Sequence, residues 1–269
     1  MLVWVAALHC EAKPIIDYYR LRKSASHHAF DVYQGDNMLC IISGIGKNAA
    51  ASAVAWIAGL YRSEASIAWI NIGTAGSASH EIGTPLWVCK ISEPASKRHF
   101  YPIPLINSGL QIAQCQTLEQ PSIDYHSDQI YDMEASALFE AATRFSSAEL
   151  VHCLKIISDN PTQQTGRNKA RISEIIHQHI AQFAGFAESL MALNNQLAAL
   201  QIKDADWKKF LACAHFTQTQ QTRVSKSLRF LLNRNFLTNQ LIAEASNLPS
   251  ANRIIDHLEK LCQLETQDL

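Results

Sequence analysis

The sequence predicts an α/β protein: a three-layer α/β/α sandwich around a mixed β-sheet, followed by a helical C-terminal appendage. Three observations predict it. Runs such as VWVAAL, SIAWINIG and LVHCLKIISD are apolar without alternation, so both faces of those strands need cover. Stretches with helical propensity or helical spacing fall between them, which is the order of an α/β fold. From about Gln201 the chain has no glycine and one proline, Pro249, and its runs show helical spacing.

The elements follow in order. Residues 3–8 read as a buried first strand. AFDVYQGDNMLCIISG, 29–44, reads as strand, Gly-Asp-Asn turn, strand. KNAAASAVAWIAGLYR, 47–62, is alanine-rich and helical by propensity. Strands are expected at 66–73, 85–92 and 109–117, a helix at 134–146, a strand at 150–159 and one long helix at 170–200. DWKKFLACAHF, QTRVSKSLRFLLNR, TNQLIAEASNL and ANRIIDHLEKLCQLE are the helices of the tail. The expected boundary separates a core of residues 1–200 from an extension of 201–269.

Composition narrows the function. With 48% hydrophobic and 17% charged residues, the 269-residue chain can bury a real core. A net charge of -1 gives no sequence-wide pull toward nucleic acid or anionic membrane, so neither is an expected partner. MLVWVAALHCEAKP has no basic n-region, and its apolar run is too short for a signal sequence or a membrane span. The seven cysteines are scattered, odd in number and free of CxxC, which argues against a disulfide framework and a zinc site. A reduced, cytoplasmic protein is expected. His9, His99, His177 and His179 show no metal-ligand spacing, and no metal or other cofactor is expected; His177 and His179, two apart on one helix, point to different faces.

Chemistry gathers where strands end. Glu11 follows the first strand, and ISGIGKNAA and NIGTAGS close two others. Met133 and Glu134 open a helix, and Lys155, Ser158 and Asp159 end the strand KIISD. Ligands of open α/β sheets collect beyond the carboxyl ends of strands. WINIGTAGSAS, 69–79, looks like a strand running into an anion-binding loop, yet it contains no lysine or arginine. Each residue also has a plainer reading: Glu134 as a helix-start acid, Asp159 as a cap, Glu11 as a solvated residue ahead of a helix starting near Pro14, and GTAG as a tight turn.

The order GIGK-x-AA, N-x-GTAG, MEA-x-A, ISD resembles the nucleoside phosphorylase/nucleosidase superfamily, and in pattern methylthioadenosine/S-adenosylhomocysteine nucleosidase, over roughly residues 1–195. The resemblance implies a catalytic domain that cleaves the N-glycosidic bond of a purine-type nucleoside. It assigns Asp159 to protonation of the purine, Glu134 to the ribose hydroxyls and Glu11 to activation of water. It places Met133 under the sugar, Ser158 by the base, Thr74 on water or phosphate, and Lys155 where an arginine supports the nucleophilic water. Leu8, Ile45, Gly73 and Asn71 complete the expected substrate-binding set. A small-molecule nucleoside, water or phosphate, and a second copy of the chain are the implied partners.

The missing cation bears on the nucleophile. Phosphorylases of this superfamily carry an arginine where this chain has Asn71, and another where it reads HCEAKP. Without those charges phosphate loses binding energy, whereas water needs only hydrogen-bond partners. Hydrolysis is therefore the expectation. Phosphorolysis remains open through Lys13 and Lys155, and so does a catalytically degenerate nucleoside-binding module with a partner-binding tail. The family's purine-clamping aromatic is replaced by Gln120, Pro121 and Ser122; the following stretch carries Arg167 and Arg171, and Arg171 stands where some phosphorylases assist the aspartate.

Overall fold

The computed structural model describes all residues except 27–28, 62–65, 122–124, 126–127, 164–167, 200–201, 203 and 268–269. The chain divides into two compact units, Met1–Asn194 and Asn195–Leu269. In the first, β1 (Leu2–Ala6) leads into α1 (His9–Tyr19), and β2 (Arg22–Lys23), β3 (Asp31–Gln34) and β4 (Met38–Ile42) follow. Next come α2 (Lys47–Leu60), β5 (Ala68–Ser77), β6 (Pro85–Glu93), β7 (Arg98–Phe100), β8 (Gln111–Thr117) and β9 (Ile130–Asp132). Then α3 (Ala135–Ala142), β10 (Val151–Asp159), α4 (Lys169–Gln178) and α5 (Ile180–Ala199) follow, with the unit boundary inside α5.

The sheet is mixed, as expected, and β5 is its hub. β5 runs parallel to β1 on one side and to β10 on the other. β10 pairs antiparallel with β6, β6 parallel with β8, and β8 parallel with β9. β9 then returns antiparallel to the end of β5 at Gly76 and Ser77. Five strands thus close into a ring, while β1, β4, β3 and β2 extend from β5 as an open sheet. Side chains alternate across it. Val3, Val5, Leu39, Ile41, Val151 and Cys153 share a core with Val54 and Ile57 of α2 and Leu138 of α3. α1 packs on α4 elsewhere in the unit. Fully apolar strands are covered in this way.

Four expectations need correction. The GTAG segment is not a loop: β5 runs on through Gly73, Thr74, Ala75 and Gly76 to Ser77, because β10 pairs with it as far as Gly76. The single helix 170–200 breaks at His179, so His177 and His179 do not share one helix; the His179 N–H closes a turn on Ile176. The helix at 134–146 is shorter, because Thr143, Arg144 and Phe145 close turns after α3. α1 starts at His9, not near Pro14, and Pro14 lies inside it. Proline cannot donate to the carbonyl four residues back. That carbonyl, of Cys10, instead accepts the Ser173 hydroxyl of α4 at 2.6 Å.

The second unit holds α6 (Asp204–Ala212), α7 (Gln218–Asn233), α8 (Thr238–Ser246) and α9 (Ala251–Gln267). It has its own core, including Phe210, Val224, Leu228, Leu241, Ile254 and Leu258. Among the described residues no helix is long and apolar enough to cross a membrane.

Candidate active site

Glu11 is buried, which removes its reading as a solvated residue. It is the third residue of α1, where an acid complements the helix dipole. Its Oε2 accepts the Leu8 N–H at 3.0 Å, and its Oε1 accepts both the N–H and the hydroxyl of Thr74 at 2.9 Å. Gly73 lies against it: a Cβ there would stand 3.2 Å from Glu11 Oε1. The small residues of GTAG are therefore strand residues that leave room for a carboxylate.

Glu134 immediately precedes α3, and its Oε1 accepts the Gly46 N–H at 2.7 Å. Gly46 has φ of 97°, a conformation that favours glycine. The SGIGK turn thus brings a bare amide to the carboxylate. Burial pushes the Glu134 carboxyl up to about 7; the Lys155 ammonium and the Gly46 amide oppose this, and the Asp132 and Glu11 charges add to it.

Behind Glu134 lies an ion pair with both side chains enclosed. Lys155 Nζ stands 2.8 Å from Asp132 Oδ2, at 1% and 0% side-chain exposure. Asp132 also accepts the Thr117 hydroxyl at 2.8 Å and the N–H groups of Ala135 at 2.8 Å and Glu134 at 3.3 Å. Burial raises the Asp132 carboxyl, but the Lys155 charge and these donors hold it below its ordinary value. Burial lowers the Lys155 ammonium, but Asp132 and Glu134 raise it above its ordinary value. Both are ionised, and together they brace the start of α3.

Asp159 ends β10 opposite Gly76, just after a register shift of the kind that re-aims a side chain. The Ser158 hydroxyl donates to its Oδ2. Glu11, Thr74, Met133, Glu134, Ser158 and Asp159 all line one cavity of about 320 Å3, with Leu8 and Ile45 in its wall. Among the described residues its lining contains the acids Glu11, Asp132, Glu134 and Asp159 and no lysine or arginine.

Other expected residues lie outside this lining. Asn71 is buried below the strand end, where its amide N–H donates to the Val5 carbonyl at 3.1 Å, and it is not part of the cavity wall. Lys155 supports the site from behind Glu134 and does not reach the cavity, because Asp132 holds its ammonium. Gly73 makes room for Glu11 instead of lining the wall. Arg171 pairs with Glu174 at 2.8 Å, and Lys13 pairs with Asp17 at 2.6 Å. Arg167 and Ser122 lie outside the described residues.

Sequence reasoning missed Asp132 and two aromatic walls. Gln120 and Pro121 do line the cavity, but so do Tyr125 and Tyr131, whose rings lie 5.3 Å apart. The Tyr125 hydroxyl packs on Gly76 so closely that a Cβ there would lie 2.1 Å from it. Burial raises the Tyr125 phenol and the Asp159 charge adds to it. The signals present were the tyrosines within DYHSDQIYDME and an acid two residues before Glu134.

The first unit is thus an α/β fold, a mixed sheet with packed helices and a carboxylate-lined cavity at its strand ends. Solved structures specify it further. The 5′-methylthioadenosine nucleosidase of Arabidopsis thaliana is similar with a TM-score of 0.56 and 16% identity, over 69% of this chain and 95% of that one. The 5′-methylthioadenosine/S-adenosylhomocysteine nucleosidase of Helicobacter pylori gives 0.57 and 13%, over 70% and 97%. The MTAN of Chlamydia trachomatis bound to MTA gives 0.53 and 19%, over 70% and 98%. No protein-family model matches the sequence, and no curated protein does. At these identities the likeness defines the fold, and function must be argued from the site.

Proposed function

We propose that the protein hydrolyses the N-glycosidic bond of a purine-type nucleoside. One observation carries the reading: Glu11, Glu134 and Asp159, from three different strand ends, converge on one cavity. Cleavage of an N-ribosidic bond builds positive charge on the sugar and negative charge on the base. Asp159 donates a proton to the leaving base as the bond from C1′ to nitrogen breaks. Ionised Glu134 accepts hydrogen bonds from the ribose hydroxyls, and its charge favours the oxocarbenium-like sugar. Glu11 takes the proton of the water whose oxygen adds to C1′. Thr74 and the Leu8 amide hold that carboxylate in place. The proton then returns from Glu11 to Asp159 through solvent.

Water is favoured over phosphate by the charge of the lining. A phosphate dianion would enter a cavity of carboxylates, with Lys155 already committed to Asp132. The test is a panel of purine nucleosides incubated with and without phosphate, with free base as the readout. Base is expected in both conditions. Base released only with phosphate would make the protein a phosphorylase, and nucleoside binding without base release would make it a binding module.

A further inference from the structure

Lys47 is the first residue of α2, where a cation opposes the helix dipole, and α2 has no acid in its first turn to offset it. Two carboxylates from outside the helix do so instead. Lys47 Nζ pairs with Glu93, the last residue of β6, and with Glu119, just after β8. The inner pair is largely enclosed, at 17% side-chain exposure for Lys47 and 11% for Glu93, whereas Glu119 is 64% exposed. Solvent screens the outer pair, so the inner one carries the constraint. Lys47 and the Ser96 hydroxyl hold the Glu93 carboxyl below its ordinary value, so it is ionised.

Neither Lys47 nor Glu93 lines the catalytic cavity, yet both stand beside the contact that holds Glu134. Gly46, which precedes Lys47, donates its N–H to Glu134 Oε1 at 2.7 Å. Glu93 Oε1 also accepts the hydroxyl of Ser136 at 3.4 Å, and Ser136 is two residues beyond Glu134. A ring closes: Glu134 to Gly46, along the backbone to Lys47, across to Glu93, on to Ser136, and back along the chain to Glu134. Gly44 and Gly46 both have positive φ, so the turn that presents the amide has little stiffness of its own.

We propose that Lys47 is a positioning residue for the glycosidic cleavage: through Glu93 it keeps the Gly46 amide on Glu134. The inference rests on the role given to Glu134 above. Burial raises the Glu134 carboxyl; of the groups that face it, Lys155 and the Gly46 amide favour the carboxylate, and Asp132 and Glu11 oppose it. Asp159 shares the cavity. With the amide displaced, the carboxylate loses a donor and forms at higher pH.

The test titrates the Glu134 carboxyl by carbon-13 NMR on the full chain without nucleoside, its signal assigned by loss in Glu134→Gln. The same variants are assayed for kcat/KM against pH on the purine nucleoside panel. In Lys47→Met the Glu134 midpoint should rise by about 0.5 to 1 pH unit, with kcat/KM at pH 7 falling about twofold to fivefold. Loss of the Lys47 charge alone would act in the same direction, and Glu93→Met separates the two. It removes a negative charge, which alone would lower the midpoint, whereas loss of the anchor raises it. A rise is expected there too. A midpoint that stays or falls in Glu93→Met, or stays in Lys47→Met, overturns the proposal even where urea unfolding shows a loss of stability. If Lys47→Met does not fold, Glu93→Met decides. A rise in both variants with no base release from the unsubstituted protein keeps the ring and overturns the hydrolase reading. Base release with an unmoved midpoint does the reverse.

Discussion

β10 buries two basic side chains, His152 and Lys155, on opposite faces of the strand, and treats them in opposite ways. His152 sits in an aromatic cluster, 5.5 Å from Trp87 and 5.3 Å from Phe186 between ring centroids. Its Nδ1 accepts from Trp87 Nε1 at 3.3 Å, so Nε2 donates to the Glu149 carbonyl at 2.9 Å. Burial lowers its pKa to about 4, which keeps the ring neutral. Lys155 is equally enclosed but faces Asp132 and Glu134, and it keeps its charge. Burial neutralises a base that has only neutral partners; an adjacent carboxylate reverses the outcome. His152 belongs to the packing of the sheet, and Lys155 pairs with an acid of the candidate site's lining.

The largest effect is expected at the charged end. Asp159→Asn should lower kcat by about 100-fold to 10,000-fold while changing nucleoside Kd far less, measured by single-turnover kinetics and calorimetry. If binding and turnover fall together, Asp159 is not the acid. Lys155→Met leaves Asp132 buried without its cation and should cost about 3–5 kcal/mol in urea unfolding. His152→Leu leaves two neutral groups, the Trp87 N–H and the Glu149 carbonyl, without the ring and should cost about 1–3 kcal/mol. Equal costs would break the contrast between the two ends.

The two ends should also respond to pH with opposite sign. The Glu134 carboxyl is raised from 4.5 to about 7 in the fold, so its contribution is complete below 4.5 and is lost as pH rises through 7. The His152 ring is lowered from 6.5 to about 4, so its contribution is complete above 6.5 and is lost as pH falls through 4. Each amounts to about 3 kcal/mol. Glu134→Gln should flatten the decline on the alkaline side, and His152→Leu the decline on the acid side, in unfolding followed from pH 4 to 8. A pH profile unchanged by both substitutions would remove the electrostatic account. In the proposed mechanism Glu134 is ionised when it holds the ribose, so kcat/KM should also rise with pH through about 7.

Thr74→Val should have the smallest effect. It removes the hydroxyl bond to Glu11 but keeps the amide bond. A stability loss of about 1 kcal/mol is expected, with a kcat reduction of a few-fold to tenfold. A larger loss of kcat would show that the hydroxyl itself touches the water.

Much of this was legible in the sequence. Apolar runs identified the central strands, because fully buried strands contain little else. GIGK, MEA and ISD marked three elements of the cavity, because ligands of open α/β sheets collect where strands end and these segments close strands or open the helices that follow. Short strands escaped notice: β2, β7 and β9 are too brief to show a period. Tyr125 escaped because its place in the cavity comes from packing on Gly76, a contact between residues far apart in the chain. Asn71 was misread because the sequence places it near a strand end, while its depth depends on the β1 carbonyl beside it.

By itself, the sequence determined the α/β order, the change to a helical tail and the identity of the three candidate carboxylates. Those properties rest on local periodicity and residue type, which are present before any long-range contact forms. Only the tertiary structure decided that GTAG is a strand making room for Glu11, that Lys155 is locked to Asp132, and that Lys47 ties the Gly46 turn to Glu93. Each of those depends on which chain segment lies opposite, and pairing across the sheet and between helices is where charge, burial and space are settled together.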